Sequence, residues 1–300
     1  MKQIKYILCF FAAFLLLNYA GGKILLTGIE RFYGLNQQAN VLLIGHSHLM
    51  LAVDKDELEE GTGMKVSKYT REGVNVYDRY FMLKQFLDSP YSDSLKIVLY
   101  GVDMYSFVAS GLSENSYTLF YPFMDEPVMN QYIKENARDK KDYWVHKLLP
   151  LERYSDVLIN ASIRGWRNDY SNYKLGTIDM EKYKKQLSSD QQFNRTIETD
   201  ESLYRMFDKT IGMVTSKGIQ VVLVNTPIID LLNHTDDESY EKIISLYKEY
   251  ANSNKMVEYI DFNPGYSSDY SIFYDPIHLN PKGQELLTEE LIKKLAKTHD

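Results

Sequence analysis

Apolar residues along this chain gather into one long N-terminal run and five short clusters, with helix-periodic stretches between the clusters. The clusters are 40–45 (NVLLIG), 65–69, 96–100 (KIVLY), 219–225 (IQVVLVN) and 256–262. All five are short, and 40–45, 96–100 and 219–225 are rich in Val, Ile or Leu, which predicts strands rather than helices. Between them the polar–apolar pattern predicts a helix capped by Asp54 and closed at Gly61 or Gly63. A second helix is predicted over 76–88, where Tyr80, Leu83, Lys84 and Leu87 recur at helical spacing and Ser89-Pro90 stops the pattern. Asp200 can cap a helix through Lys217, with Gly218 ending it. Another runs from about Asp237 to Tyr250, and a last one starts at Asn280-Pro281. Alternating strands and helices imply an α/β fold, a three-layer sandwich around a mainly parallel five-stranded sheet. In such a fold ligands collect at the C-terminal ends of the strands.

The stretch 104–197 breaks this rhythm. It lacks a strong strand pattern and holds many aromatics, among them Tyr117, Phe120, Tyr121, Phe123, Tyr132, Trp144, Trp166, Tyr170 and Tyr173. A structureless loop of this length does not suit a compact domain, so the stretch reads as a large, mostly helical insertion, with helices expected over 126–140 and 151–160. Its aromatics fit either a core of their own or a platform for stacking on sugar rings.

The N-terminal run 6–22 (YILCFFAAFLLLNYAGG) carries no charge and is bracketed by Lys2, Lys5 and Lys23. Length and positive flank predict an uncleaved signal anchor over 1–23, followed by a linker over 24–39 and a main domain over 40–300. By the positive-inside tendency that domain lies outside the cytoplasm, making a single-pass protein of the cell membrane. The 300 residues have a net charge of -7 and a pI near 5.5, which gives no basic footprint for nucleic acid. The sole cysteine, Cys9, lies in the apolar run, so neither a disulfide within the chain nor a thiolate metal cluster can form.

Two short blocks could carry chemistry. Gly45-His46-Ser47-His48 follows the first strand, where a serine would stand at the catalytic edge of the sheet. Asp275-Pro276-Ile277-His278 precedes the last helix, with the spacing for a carboxylate to turn back on an imidazole and fix its tautomer. Read alone, Ser47 is as well a turn or cap residue, and Asp275 and His278 ordinary loop residues. His46 and His48, two apart, would face one way on a strand, but no compact set of further ligands accompanies them, so neither a metal nor a cofactor is expected.

Taken together, a serine block after strand one and a D-x-x-H block before the last helix resemble the two ends of the SGNH/GDSL hydrolase layout. The likeness extends over 40–296 apart from the insertion. It is closest to the membrane-anchored branch linked to acylation or deacylation of cell-surface polysaccharides. The resemblance implies a flavodoxin-like SGNH fold, Ser47 as nucleophile, His278 as base and Asp275 as its partner. It also implies an oxyanion hole built from the backbone N–H groups of Ser47 and Gly73. The family's third donor is an asparagine after strand three, where this chain has Asp103 in Gly101-Val102-Asp103. A carboxylate cannot donate, so Asp103 would have to be protonated, or Asn75 or Asn225 take its place, or the hole be weaker. His46 likewise replaces the aspartate of the usual GDS triplet. The implied function is a serine O-acyl esterase or acyltransferase for small acyl groups such as acetyl on a carbohydrate polymer. A polysaccharide-modifying membrane complex is the implied partner. The alternative is an inactive binding or assembly subunit of such a complex.

Overall fold

The computed structural model describes residues 2–108, 115–189, 200–233 and 237–298. In chain order the elements are α1 (Lys2–Tyr33), β1 (Val41–Gly45), α2 (Ser47–Ala52), α3 (Lys55–Thr62), β2 (Val66–Thr70), α4 (Val76–Leu87) and β3 (Ile97–Val102). There follow α5 (Pro127–Asn136), α6 (Lys140–Leu148), α7 (Asp156–Arg167), α8 (Met180–Ser189), α9 (Glu201–Thr215), β4 (Gln220–Asn225) and α10 (Asp230–Asn233). The chain continues through α11 (Asp237–Ser253), β5 (Val257–Asp261), α12 (Asn263–Tyr266), β6 (Phe273–Asp275), β7 (His278–Leu279) and α13 (Pro281–Thr298).

Contact within the chain defines two compact units. The larger, Gln37–Ser113 with Tyr170–Asp300, holds the whole sheet. Its strands run parallel in the order β2-β1-β3-β4-β5, the doubly wound order of flavodoxin-like proteins. Val41 pairs with Val66 on one side and with Ile97 on the other. Every residue of β1, β2 and β3 is buried, as expected for a parallel sheet covered on both faces. All five predicted strands are present, with ends shifted by one or two residues. Sequence order reverses between β1 and β3, so the loops leaving these two strands diverge and open a crevice at their C-terminal ends.

The helices of this unit start and stop where the caps predicted. Asp54 Oδ1 accepts from the N–H groups of Asp56 and Glu57, and Gly63 closes α3 at a φ of 68°. Asn75 and Asp78 form a reciprocal capping box at the head of α4. Asp200 caps α9, and Asn280 Oδ1 accepts from Gly283 N–H in the first turn of α13.

The smaller unit, Met1–Asn36 with Glu114–Asp169, differs from the expected boundaries in two ways. First, the stretch 24–39, expected to be a linker, is helical as far as Tyr33. The reason is packing: Gly28 and Gly165 let α1 and α7 approach until a Cβ on Gly165 would lie 1.9 Å from the Gly28 carbonyl oxygen. Ser162 Oγ then donates to Leu25 O at 2.9 Å. This contact offsets the low helix propensity of the glycines. Second, the expected insertion 104–197 is divided between the units, and its end at Ile197 lies outside the described residues. The helix expected over 126–140 is interrupted at Ala137 and restarts at α6, where Asp139 Oδ1 accepts from Asp142 N–H at 2.7 Å. The one expected over 151–160 is a 3-10 turn, Pro150–Arg153, followed by α7.

The insertion aromatics divide by position. Tyr117, Phe120, Tyr121, Phe123 and Tyr132 are buried and form the core of the smaller unit, whereas Trp144, Trp166 and Tyr173 are exposed. The 32-residue α1 is long and apolar enough to cross a bilayer.

Candidate active site

The larger unit carries a cavity of about 520 Å³ lined by Ser47, Gly73, Asn75, Asp103, Asp275 and His278, with Val74, Val108, Leu232 and Ile277 as apolar wall. Ser47 is the first residue of α2, directly after β1. The preceding His46 caps this helix: its Nδ1 accepts from His48 N–H at 3.1 Å.

His278 comes from the other end of the sequence. β6 and β7 form a small antiparallel hairpin, turned by Pro276-Ile277, in which Asp275 stands opposite His278. Asp275 Oδ1 accepts from the N–H groups of Ile277 and His278, both at 3.0 Å. Its Oδ2 lies 2.8 Å from His278 Nδ1. His278 Nε2 in turn lies 2.9 Å from Ser47 Oγ. Burial pushes the Asp275 carboxyl up, but the hydrogen bond and charge of His278 and the two backbone N–H groups outweigh it and hold the carboxyl below its usual value. An ionised Asp275 only accepts, so the neutral ring carries its proton on Nδ1 and presents a bare Nε2 to the serine.

A side chain not singled out from sequence ties these two blocks together. The buried Asn172 donates through Nδ2 to Leu51 O at the end of α2, at 3.2 Å, and to Leu279 O beside His278, at 3.0 Å. One amide thus joins the helix that carries the serine to the strand that carries the histidine.

Asp103, at the C-terminal end of β3, is a buried acceptor. Its Oδ1 takes Tyr105 N–H at 2.7 Å and Ser106 Oγ at 3.3 Å, and its Oδ2 takes His46 Nε2 in a short hydrogen bond. Burial alone would raise this carboxyl, but the two imidazoles beside it hold it well below the usual range. His46 is neutral: burial, opposed by Asp103 and reinforced by His48 and Arg79, lowers its pKa to about 3. The third oxyanion donor expected at position 103 is therefore not supplied by this side chain, which is ionised and accepts at both oxygens. Asn225 does not substitute for it, because its Nδ2 is turned to Asp261 Oδ1 at 2.9 Å and Tyr259 Oη at 3.3 Å. Asn75 lines the cavity with its Oδ1 committed to the Asp78 N–H of the α4 cap. Gly73 sits in the left-handed region at a φ of 76°, which favours glycine.

Sequence reasoning found no third ligand to join His46 and His48, yet the fold brings Asp103 to them. The ligating atoms of all three lie within 4.8 Å of one another, and His48 Nδ1 is 3.2 Å from Asp103 Oδ2. The hydrogen bonding argues against a metal here. His46 Nδ1 accepts a backbone N–H, so in the neutral ring the proton sits on Nε2, the atom that would have to bind the ion. Metal-bound histidines normally donate from the second nitrogen. The donor set fits a hydrogen-bonded cluster centred on the Asp103 carboxylate. No signal in the sequence linked Asp103 to His46, since the pairing follows from β1 and β3 being neighbours.

No family model matches this chain, and no curated protein matches it. Among solved structures it is similar to a candidate acylhydrolase from Bacteroides fragilis, with 13% identity, a TM-score of 0.43 and coverage of 90% of this chain and 94% of that one. It is also similar to a candidate platelet activating factor from Streptococcus pneumonia, with 12% identity, a TM-score of 0.43 and coverage of 97% and 99%.

Proposed function

We propose that this chain is a serine O-acyl esterase or acyltransferase of the SGNH type, held on the membrane by α1 with its folded part outside the cytoplasm. Its substrate class is a small acyl ester, such as acetyl, on cell-surface or exported carbohydrate. The observation that carries the reading is the continuous relay from Asp275 Oδ2 through His278 to Ser47 Oγ, with links of 2.8 and 2.9 Å. In the proposed reaction His278 Nε2 takes the serine proton as Oγ attacks the ester carbonyl. Asp275 holds the ring and stabilises the imidazolium that forms. The backbone N–H groups of Ser47 and Gly73 receive the negative charge on the carbonyl oxygen. The imidazolium then protonates the departing alcohol. Water or a sugar hydroxyl, deprotonated by the same nitrogen, resolves the acyl-enzyme.

Asp103 favours a second reading, an inactive binding or assembly subunit, because it accepts where a donor would strengthen the oxyanion hole. Kinetics of single and double variants on an acetyl ester separate the two. Ser47→Ala and His278→Ala should each lower kcat by on the order of 10⁴-fold, and the double variant should be barely worse than either. Additive losses, or a parent protein that turns over no ester, favour the binding subunit.

A further inference from the structure

The smaller unit presents large apolar side chains to solvent at one particular level along α1. The uncharged run 6–22 spans about 25 Å at ~1.5 Å per residue, slightly less than the ~30 Å hydrocarbon core. Exposed Ile24 extends it by one step beyond Lys23. At that level three cations converge on one carboxylate: Asp125 meets Lys23 at 3.2 Å, Arg153 at 3.2 Å and Lys147 at 3.8 Å. A charge cluster at the end of an apolar span belongs among headgroups.

The segment just before Arg153 reaches deeper than this cluster. Leu151 N–H donates to Asn18 Oδ1 at 3.2 Å, Leu151 packs against Gly21, and Pro150 against Gly22. Asn18 is a buried polar residue within the apolar run, and a polar group at membrane depth needs a partner. Leu151 supplies it only by sitting at membrane depth itself. Leu148, 66% exposed, adjoins this turn, and Trp144, 54% exposed, lies one turn back on the same face of α6. The first turn of α7 adds Val157, 69% exposed. α7 lies beside α1 with Ser162 at Leu25 and Gly165 at Gly28, so five residues earlier Val157 falls near the level of Ala20.

Resting on the reading of α1 as a membrane span, we propose that Trp144, Leu148, Leu151 and Val157 form a lipid-contacting collar. They insert into the leaflet on the folded side of the membrane, next to α1. The occupant of this face is acyl chain and glycerol backbone of the bilayer. The tryptophan stands at the interface, where such rings concentrate, and the aliphatic side chains lie at the shallow depth of monotopic contacts.

The chain has two tryptophans, Trp144 and Trp166, and Trp166 donates to Thr27 Oγ1, beyond the charge cluster. The test reconstitutes the full chain, as Trp166→Phe and as Trp144→Phe, into phosphatidylcholine vesicles with bromine on the upper acyl chains. The proposal expects the emission of Trp144 to be blue-shifted and largely lost in brominated vesicles, with Trp166 much less affected. The unmodified chain should lose only the Trp144 share, which checks that the substitutions leave the unit folded. Trp144 emission that persists in brominated lipid while iodide in the water quenches it overturns the proposal. So does protection from both quenchers, which would mean that a second copy of the chain covers the face. Failure of the chain to sediment with vesicles removes the membrane anchor and the collar together. Sedimentation without lipid quenching removes the collar alone.

Discussion

His278 Nε2 stands 2.9 Å from Ser47 Oγ although 231 positions separate the two residues, and the buried amide of Asn172 bonds to the backbone at the end of the serine's helix and beside the histidine. Asn172→Ala leaves two buried carbonyls without their donor, each bond worth about 1 kcal/mol net. Chemical denaturation should show a loss of about 1–3 kcal/mol. Ester turnover should fall mainly in kcat rather than KM, because the serine and histidine lose their common tie while the acyl wall is untouched. Unchanged kcat in a destabilised variant would make Asn172 a purely structural residue.

Position 103 invites replacement by asparagine, since a neutral amide would supply an oxyanion donor. The hydrogen bonds oppose this. Tyr105 N–H requires an acceptor at Oδ1, which turns the amide nitrogen toward the Nε2–H of His46. Moving that proton to Nδ1 would instead set it against the His48 N–H. Two donors face each other in either tautomer, and a buried unsatisfied donor costs about 1–3 kcal/mol. Asp103→Asn should therefore lower stability by about that amount without raising turnover on an acetyl ester. Thermal unfolding and initial rates measured together check it, and a stable, faster variant would contradict the assignment of Asp103 as an obligatory acceptor.

The same cluster sets a pH dependence of stability. His46 has its pKa lowered to about 3 in the folded chain, against ~6.5 when unfolded. Above ~6.5 the ring is neutral in both states and its contribution is complete. As pH falls from ~6.5 toward 3, the unfolded chain binds a proton that the folded chain excludes, so stability drops by up to about 1.4 kcal/mol per pH unit. His46→Asn removes this titration and keeps an acceptor for the His48 N–H. The gap in unfolding free energy between parent and variant should narrow as the pH is taken from neutral to mildly acidic. Parallel curves over that range would mean that His46 is not held neutral.

Much of this was legible in the sequence because it is written in local rules. Five short clusters, three of them rich in Val, Ile or Leu, marked the strands to within two residues. Asp54 and Asn280 acted as the caps that their side chains suit, and Gly63 as the stop that its left-handed backbone allows. The serine block and the D-x-x-H block each sit where an element begins or ends. What was not legible depends on contacts between distant residues. The helical state of 24–33 rests on Gly28 meeting Gly165, and the acceptor role of Asp103 rests on His46 arriving from the neighbouring strand. The role of Asn172 rests on a hairpin, Phe273–Asp275 with His278–Leu279, too short to give a periodic signal. The exposed Trp144 and buried Tyr132 look alike in sequence, and only packing separates them.

The proposed function rests on Ser47 being a nucleophile activated by His278. Reaction of the full chain with a fluorophosphonate, followed by mass spectrometry of its peptides, gives the sharpest test, because the reagent phosphonylates an activated serine, with loss of fluoride, far faster than an ordinary one. One stoichiometric adduct is expected on Ser47, absent from Ser47→Ala and strongly slowed in His278→Ala, with both variants folded. No adduct on the parent protein, or an adduct on another serine that persists in Ser47→Ala, would contradict it.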